Sequence, residues 1–161
     1  MIQKMCMGAK FGDDKKYRYS LFRIWDKSKP LIMFIGLNPS TANENENDPT
    51  ISRVISMANS WGYGGVYMMN LFPIFSTYPE KWELVNIKEN DGELLEIANK
   101  CDTIVFAWGG SCKNLSGRDK TMISMFPNAM ALRINKDGSP HHPLYINTDV
   151  ELINYKENAK I

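Results

Sequence analysis

The amino-acid sequence predicts an α/β fold: a three-layer αβα domain around a central, mainly parallel four-stranded sheet, with an N-terminal edge strand. Continuous apolar runs closed by turn residues are typical of strands buried on both faces. Helical patterns separate these runs, which implies right-handed crossovers and therefore parallel pairing. The length of 161 residues and the hydrophobic content of 43% suit one domain spanning residues 1–161. The predicted strands are Leu31–Asn38, Val66–Asn70, Thr103–Trp108 and Ala129–Ile134.

The chain is organised around the first of these strands, which continues into the turn sequence Asn-Pro-Ser-Thr. Pro39 has no N–H to offer to a neighbouring strand, so we expect the strand to end at about Asn38. The preceding segment, Tyr17 to Trp25, is rich in aromatic residues and alternates partially with a period of two. This pattern predicts a half-buried edge strand.

Helices are predicted between the strands. Asp48 and Pro49 resemble an N-cap followed by a proline at the first helical position, and glycines from Gly62 onwards end that helix. A second helical pattern begins near Asn90, and a short third helix covers 117–125. The polar tail from residue 149 is expected to dock a last helix. The apolar stripe of the first helix consists of Ile51, Val54, Ile55 and Ala58.

Composition excludes several classes of protein. The net charge of +1 argues against the large basic face of a duplex-DNA binder. The three cysteines are far apart, which excludes a zinc ribbon or a disulfide framework, and the adjacent His141 and His142 lack metal-ligand spacing. We therefore expect no metal and no cofactor. No apolar run predicts a signal peptide or a membrane span, so the expected location is the cytoplasm, without a membrane partner.

The strand ends predict a binding site. Parallel strands would place Asn38, Asn70, Trp108 and His142 at one edge of the sheet, where ligands bind in open α/β folds. A carboxamide offers an acceptor and two donors, which suits the edge of a nucleobase. Nearby aromatic side chains could stack on a planar ring or simply pack in the core, and Trp82 could form a wall or lid. For Asn38 the alternative is an Asx turn that ends a strand.

The order of these motifs resembles the uracil-DNA glycosylase superfamily. The likeness rests on Gly36-Leu-Asn-Pro39, on Asn70 at a strand end, on Ala107-Trp-Gly109 and on His142-Pro143. The whole chain also resembles a bacterial and phage family called domain of unknown function 1643. That second likeness rests on the segments Leu37–Ala42, Asp48–Thr50, Trp61–Tyr63, Asn70–Phe72, Ala107–Gly109 and Asp137–Tyr145.

The resemblance to the glycosylases implies a uracil-DNA glycosylase-like fold and roles for individual residues. Asn38 would hold the water that attacks the sugar C1′, Asn70 would read the base edge, and His142 would donate to the base oxygen. Asn38 and His142 are thus the predicted catalytic pair. Together with Asn70, the predicted substrate-binding residues are Gly36, Pro39, Ser40, Thr41, Phe72, Trp108, Gly109, Arg118 and His141.

Two departures from the superfamily pattern concern the substrate. Ser40 stands where the mismatch-specific branch has glycine, and Leu144 stands where His-Pro-Ser has serine. With the near-zero net charge, they argue against flipping a base out of a duplex. The expected partner is therefore a nucleotide, a nucleobase or single-stranded nucleic acid. The sequence does not specify the oligomeric state of the protein.

Two main functions remain open at this point. The protein either hydrolyses an N-glycosidic bond or binds a nucleotide or nucleic-acid end without chemistry. A third reading is a protein that contacts another protein through the loop that carries Trp82.

Overall fold

The computed structural model describes residues 4–76, 84–112 and 114–160. Within them, seven strands form one sheet in the order β1-β2-β4-β3-β5-β6-β7. The strands are β1 (Cys6–Phe11), β2 (Arg18–Ile24), β3 (Leu31–Gly36), β4 (Gly65–Asn70), β5 (Thr103–Phe106), β6 (Met130–Ala131) and β7 (Ile153–Asn154). The helices are α1 (Pro49–Ser60), α2 (Ile87–Ala98), α3 (Arg118–Met125) and α4 (Tyr155–Asn158), and a short 3₁₀ turn covers Asp13–Lys15.

The four strands β4, β3, β5 and β6 are parallel neighbours, and they correspond to the four predicted parallel strands. The expectation of a four-stranded, mainly parallel sheet is nevertheless wrong in extent. The sheet has seven strands, and the β1–β2, β2–β4 and β6–β7 pairings are antiparallel. β1 is largely exposed and β7 has only two residues, so neither contains the long apolar run that predicted the central strands.

The predicted edge strand lies inside the sheet. β2 pairs with β4 on one side and β1 on the other, and most of its residues are buried. The edge position belongs to β1, whose outer residues are exposed. The predicted last strand, Ala129–Ile134, is also shorter than expected, because only Met130 and Ala131 pair as β6. The tail contributes β7 and α4 after it.

Helices cover both faces of the sheet, which confirms the three-layer arrangement. On one face, α1 buries Ile51, Val54 and Ala58 against β3 and β4. On the other face, α2, α3 and α4 pack their apolar residues against the same strands. β3 is apolar on both faces and is covered on both. Ile32 and Phe34 pack on the side of α1, and Met33 and Ile35 pack on the side of α2, α3 and α4.

The predicted start of α1 is confirmed by its N-cap. The Asp48 carboxylate accepts a hydrogen bond from the backbone N–H of Ile51 at 2.8 Å, and Pro49 follows at the first helical position. After the helix, Gly62 has a φ of +89°, a backbone conformation that glycine adopts without strain. The helix therefore begins and ends where the sequence predicts.

β2 contains an irregularity that changes the direction of one side chain. Lys10 of β1 pairs with Ser20, whereas the next residue of β1 pairs with Arg18, so β2 holds one extra residue at this point. An extra residue reverses the alternation of faces along a strand. Arg18 accordingly lines the same cavity as Leu21 and Met68, two members of the cluster under α1.

Within the described ranges, no helix is long and apolar enough to cross a membrane. The predicted wall or lid at Trp82 lies outside the residues that the structure describes.

Candidate functional site

A cavity of about 700 Å³ lies at the carboxyl edge of the parallel strands. This size and position are typical of small-molecule sites in α/β proteins. The predicted convergence of side chains from separate strand ends is therefore confirmed. The predicted site residues that line the cavity are Gly36, Asn38, Pro39, Ser40, Thr41, Asn70, Trp108 and His142.

Four predicted binding residues do not line this cavity. Phe72 is 1% exposed and packs in the cluster under α2, so the core-packing alternative holds for its ring. Arg118 is buried elsewhere, where its Nε donates to Leu71 O at 3.0 Å and its Nη1 donates to the Asp91 carboxylate at 3.1 Å. Gly109 and His141 line a second cavity of about 490 Å³, which shares only His142 and Leu144 with the first.

Asn70 brings an unpaired hydrogen-bond donor to the cavity. The residue ends β4 and is only 2% exposed, yet its Nδ2 has no hydrogen-bond partner in the part of the chain that the structure describes. Its Oδ1 lies beside Gly36, where an added Cβ would come within 2.9 Å of that oxygen. Glycine at this position therefore leaves room for the carboxamide. A buried donor without a partner is rare in folded proteins and is costly to leave unpaired.

Asn38 has a structural contact that the sequence did not reveal. Its Nδ2 donates to Ile74 O at 3.3 Å and to Ser76 O at 2.5 Å. These bonds hold the segment after β4 against the end of β3, and Phe75 of that segment is 36% exposed in the cavity wall. Because both carboxamide hydrogens have acceptors, the acceptor Oδ1 is the part of this side chain left for a ligand or water.

His142 presents a neutral imidazole with one defined tautomer. Its Nδ1 accepts a hydrogen bond from the backbone N–H of Leu144 at 3.1 Å, so a neutral ring carries its hydrogen on Nε2. Burial lowers the pKa of His142 below the usual 6.5, and His141 lowers it further, while Asp48 opposes the shift. At neutral pH the ring is therefore an uncharged donor at the cavity.

Arg18 is a buried cation in the same wall. It is 3% exposed and its Nη1 donates to Ala42 O at 2.8 Å, while its Nε has no partner among the described residues. Burial is the main reason that the pKa of Arg18 falls to about 10, with Arg23 adding to the fall and Asp48 opposing it. The side chain remains charged at neutral pH but is poorly solvated.

Asp48 lines the cavity in addition to capping α1. Its Oδ1 accepts from Ile51 N at 2.8 Å and its Oδ2 accepts from Ala42 N at 3.2 Å. Both carboxylate oxygens are thus occupied by backbone donors. The sequence indicated the cap, but it gave no signal that α1 begins at the cavity. Lining residues outside the predicted set are Arg18, Leu21, Leu37, Asp48, Thr50, Ile51, Met68, Phe75, Ser76, Ser111 and Leu144.

The chemistry available at the cavity is that of neutral donors and acceptors beside one buried cation and one carboxylate. Trp108 and Phe75 add aromatic surface. No group of three or more histidine, cysteine, aspartate or glutamate side chains that could hold a metal occurs in the described part of the chain. The arrangement suits recognition of a planar, polar ligand, since carboxamide and imidazole groups bind base edges and aromatic rings stack.

These features define an α/β protein with a polar cavity at the carboxyl edge of its parallel strands. The chain belongs to the family described as "Protein of unknown function (DUF1643)", whose model matches residues 18–144. The matched span begins at Arg18 and ends at Leu144, so it includes every residue that lines the larger cavity. Comparisons with curated proteins and with solved structures gave no match.

Proposed function

We propose that the larger cavity binds the nucleobase of a nucleotide or of single-stranded nucleic acid, and that the protein hydrolyses the N-glycosidic bond of that base. The observation that carries the proposal is the buried carboxamide of Asn70, a residue of the cavity wall, whose Nδ2 has no hydrogen-bond partner among the described residues. A ligand carbonyl or ring nitrogen would pair this donor and recover the cost of leaving it unsatisfied. A base edge offers such acceptors next to donors for the carboxamide oxygen.

Two further groups support hydrolysis. The Asn38 Oδ1 can accept a hydrogen bond from a water, and the His142 Nε2–H can donate to the base. In the proposed reaction the water oxygen bonds to the sugar C1′ as the C1′–N bond breaks. The bonding pair leaves with the base, and the proton released by the water ends on it. A donor aimed at the developing negative charge contributes about 3 kcal/mol to such a step.

Binding without chemistry is the second candidate, and one observation favours it. The Asn38 Nδ2 is committed to the backbone carbonyls of Ile74 and Ser76, which gives this side chain a structural purpose apart from catalysis. In that case the cavity would recognise a base and leave its glycosidic bond intact.

Base release distinguishes these candidates. We would incubate the protein with single-stranded DNA carrying normal or modified bases, and with nucleotides, and quantify released base by chromatography. The expected result is release by the native protein and a loss of about 100-fold in His142→Ala. Asn70→Ala is expected to lose both release and nucleotide binding, because it removes the unpaired donor.

The control is His141→Ala, which changes the neighbouring imidazole that lines the second cavity. It should retain base release. Binding without release on any substrate would exclude the hydrolase and support the second candidate. Absence of binding to bases, nucleosides and nucleotides would overturn both.

A further inference from the structure

Arg18 is the cation of the cavity wall, and the proposed nucleobase binding does not use it. It lies on β2, which runs antiparallel to β4, so the start of β2 is at the same sheet edge as Asn70. A buried guanidinium normally has several acceptors, because each unpaired N–H costs free energy when it is removed from water. Here Ala42 O pairs Nη1, and Nε is buried without an acceptor.

The charge of Arg18 is also incompletely compensated. Within the described residues, no carboxylate lies within 4 Å of its nitrogen atoms. Asp48 acts on it electrostatically, but both oxygens of Asp48 already accept backbone N–H groups. Arg18 therefore combines a buried donor without an acceptor with a partly unbalanced positive charge, and it lines the cavity.

Three residues with hydroxyl groups line the same cavity as Arg18. Ser40 and Thr41 immediately precede Ala42, whose carbonyl accepts the hydrogen bond from Arg18. Thr50 lies in the first turn of α1, where the helix dipole favours negative charge. All three line the cavity with Arg18. Several hydroxyl donors in one cavity with a guanidinium match the three oxygens of a phosphate better than the two of a carboxylate.

We propose that Arg18, with the hydroxyls of Ser40, Thr41 and Thr50, forms a phosphate subsite that selects phosphorylated ligands over free nucleosides and bases. This inference rests on the proposed function, since it assigns the phosphate of the same ligand whose base lies at Asn70. The phosphate accepts hydrogen bonds from the Arg18 guanidinium and balances the buried charge. The preferred ligand is a nucleoside 5′-monophosphate, in which the phosphate is a terminal monoester.

The test compares affinities by isothermal titration calorimetry. The ligands are the four common nucleosides, their 5′-monophosphates, inorganic phosphate, and a single-stranded trinucleotide without terminal phosphate. For the base that binds, the monophosphate should bind about tenfold or more tightly than the nucleoside, as one charge-assisted hydrogen bond provides. Arg18→Gln should reduce this preference to less than about twofold and leave nucleoside affinity unchanged.

Lys29→Gln is the matched charge control. It also removes one positive charge, but Lys29 is exposed and precedes β3 at the opposite edge of the sheet. This variant should keep the full preference for phosphate. Equal affinities for nucleoside and monophosphate in the native protein would overturn the subsite, as would a preference that survives in Arg18→Gln. Tighter binding of the trinucleotide than of any monophosphate would overturn the assignment of a terminal phosphate.

The outcomes also separate this inference from the proposed function. Nucleoside binding without phosphate preference would remove the subsite and leave base recognition in place. Phosphate binding that Arg18→Gln abolishes, without binding of any nucleoside, would keep the subsite and remove base recognition. If Arg18→Gln does not fold, the subsite can still be tested on the native protein. Its melting temperature should be higher in inorganic phosphate than in chloride of equal ionic strength, and equal melting temperatures would overturn the subsite.

Discussion

Two buried arginines of the same strand, Arg18 and Arg23, differ in what their guanidinium groups contact. Arg23 makes four hydrogen bonds, to backbone carbonyls of Phe22, Asn43 and Glu46 and to the Asn47 side chain, at 2.6–3.0 Å. Within the described residues, the Arg18 side chain makes one hydrogen bond, to Ala42 O, and its buried Nε has no partner. Arg23 therefore holds the loop that contains Asn43, Glu46 and Asn47, whereas Arg18 has a donor left for a ligand.

A similar difference separates two buried asparagines. Asn90 donates through Nδ2 to Asn70 O at 2.9 Å and to Leu71 O at 3.4 Å, which secures the end of β4 against α2. Asn70 itself has an unpaired Nδ2 at the cavity. The unpaired atom of Asn90 is its acceptor Oδ1, away from the cavity. Unpaired donors at the cavity wall therefore distinguish residues available to a ligand from residues that hold the fold.

The largest expected effect is the loss of stability when Arg23, which holds the loop, is changed. Arg23→Gln should lower the free energy of unfolding by about 3 kcal/mol or more, because several carbonyls lose their donors in the interior. Arg18→Gln should cost less than about 1 kcal/mol, since only the bond to Ala42 is lost. Urea unfolding measures both values. Similar losses in the two variants would mean that both arginines serve the fold alike.

The asparagines give the next largest difference. Asn90→Ala should destabilise the protein by about 2 kcal/mol, because the buried Asn70 carbonyl loses this donor, while Leu71 O keeps its bond from Arg118. Asn70→Ala should cost less than about 1 kcal/mol, since the donor it removes has no partner in the unliganded protein. Thermal unfolding in the absence of ligand provides the comparison. A larger loss for Asn70→Ala would place Asn70 among the structural residues.

Gly36→Ala tests the space beside the Asn70 carboxamide. The new Cβ would lie 2.7 Å from Met68 Cε and 2.9 Å from Asn70 Oδ1. The end of a methionine side chain can move, so the expected loss of stability is only about 1 kcal/mol. The carboxamide must shift as well, and nucleotide affinity should fall about tenfold when its hydrogen bond is distorted. Native affinity in this variant would show that ligand binding does not depend on the position of Asn70.

The smallest expected effect is the pH dependence caused by His142. Burial lowers its pKa in the folded protein, and His141 lowers it further. Because the unfolded chain binds the proton more readily, this contribution to stability is complete above about pH 6.5 and is lost as the pH falls through the folded-state pKa. The pKa of His141 is also lowered, mainly by burial.

Unfolding free energies between pH 7.5 and 5 should therefore decrease towards acid. His142→Gln should flatten part of this slope, because glutamine does not titrate. Its side-chain oxygen can still accept the Leu144 N–H, so the local structure is kept. His141→Gln should remove another part. An unchanged slope in His142→Gln would contradict the assigned direction of its pKa.

The parts of the fold that the sequence predicts are those with redundant signals. β3 combines a long apolar run with a proline that ends it, and α1 combines an N-cap, a proline and an apolar stripe. β1 is largely exposed and β7 has only two residues, so neither carries the long apolar run that marks a buried strand. The interior position of β2 could not be read from its own residues, because it depends on pairing with β1 and β4.

The site was predictable where it follows from strand direction. Asn38, Asn70 and His142 converge because parallel strands end at one edge. Arg18 was missed because the extra residue in β2 reverses its face, and simple alternation gives no sign of this. Arg118 was wrongly expected at the cavity because its partner Asp91 lies on another helix, and such a pairing has no local pattern.

The most direct test of base recognition at the cavity is the NMR signal of the Asn70 side-chain amide. The signal can be assigned by its loss in Asn70→Ala and followed in ¹⁵N-labelled protein during titration with the nucleoside 5′-monophosphate that binds. The Nδ2 protons are expected to move downfield and to saturate at the calorimetric dissociation constant, as they gain an acceptor. Saturated binding that leaves the Asn70 amide signal unchanged would contradict the account.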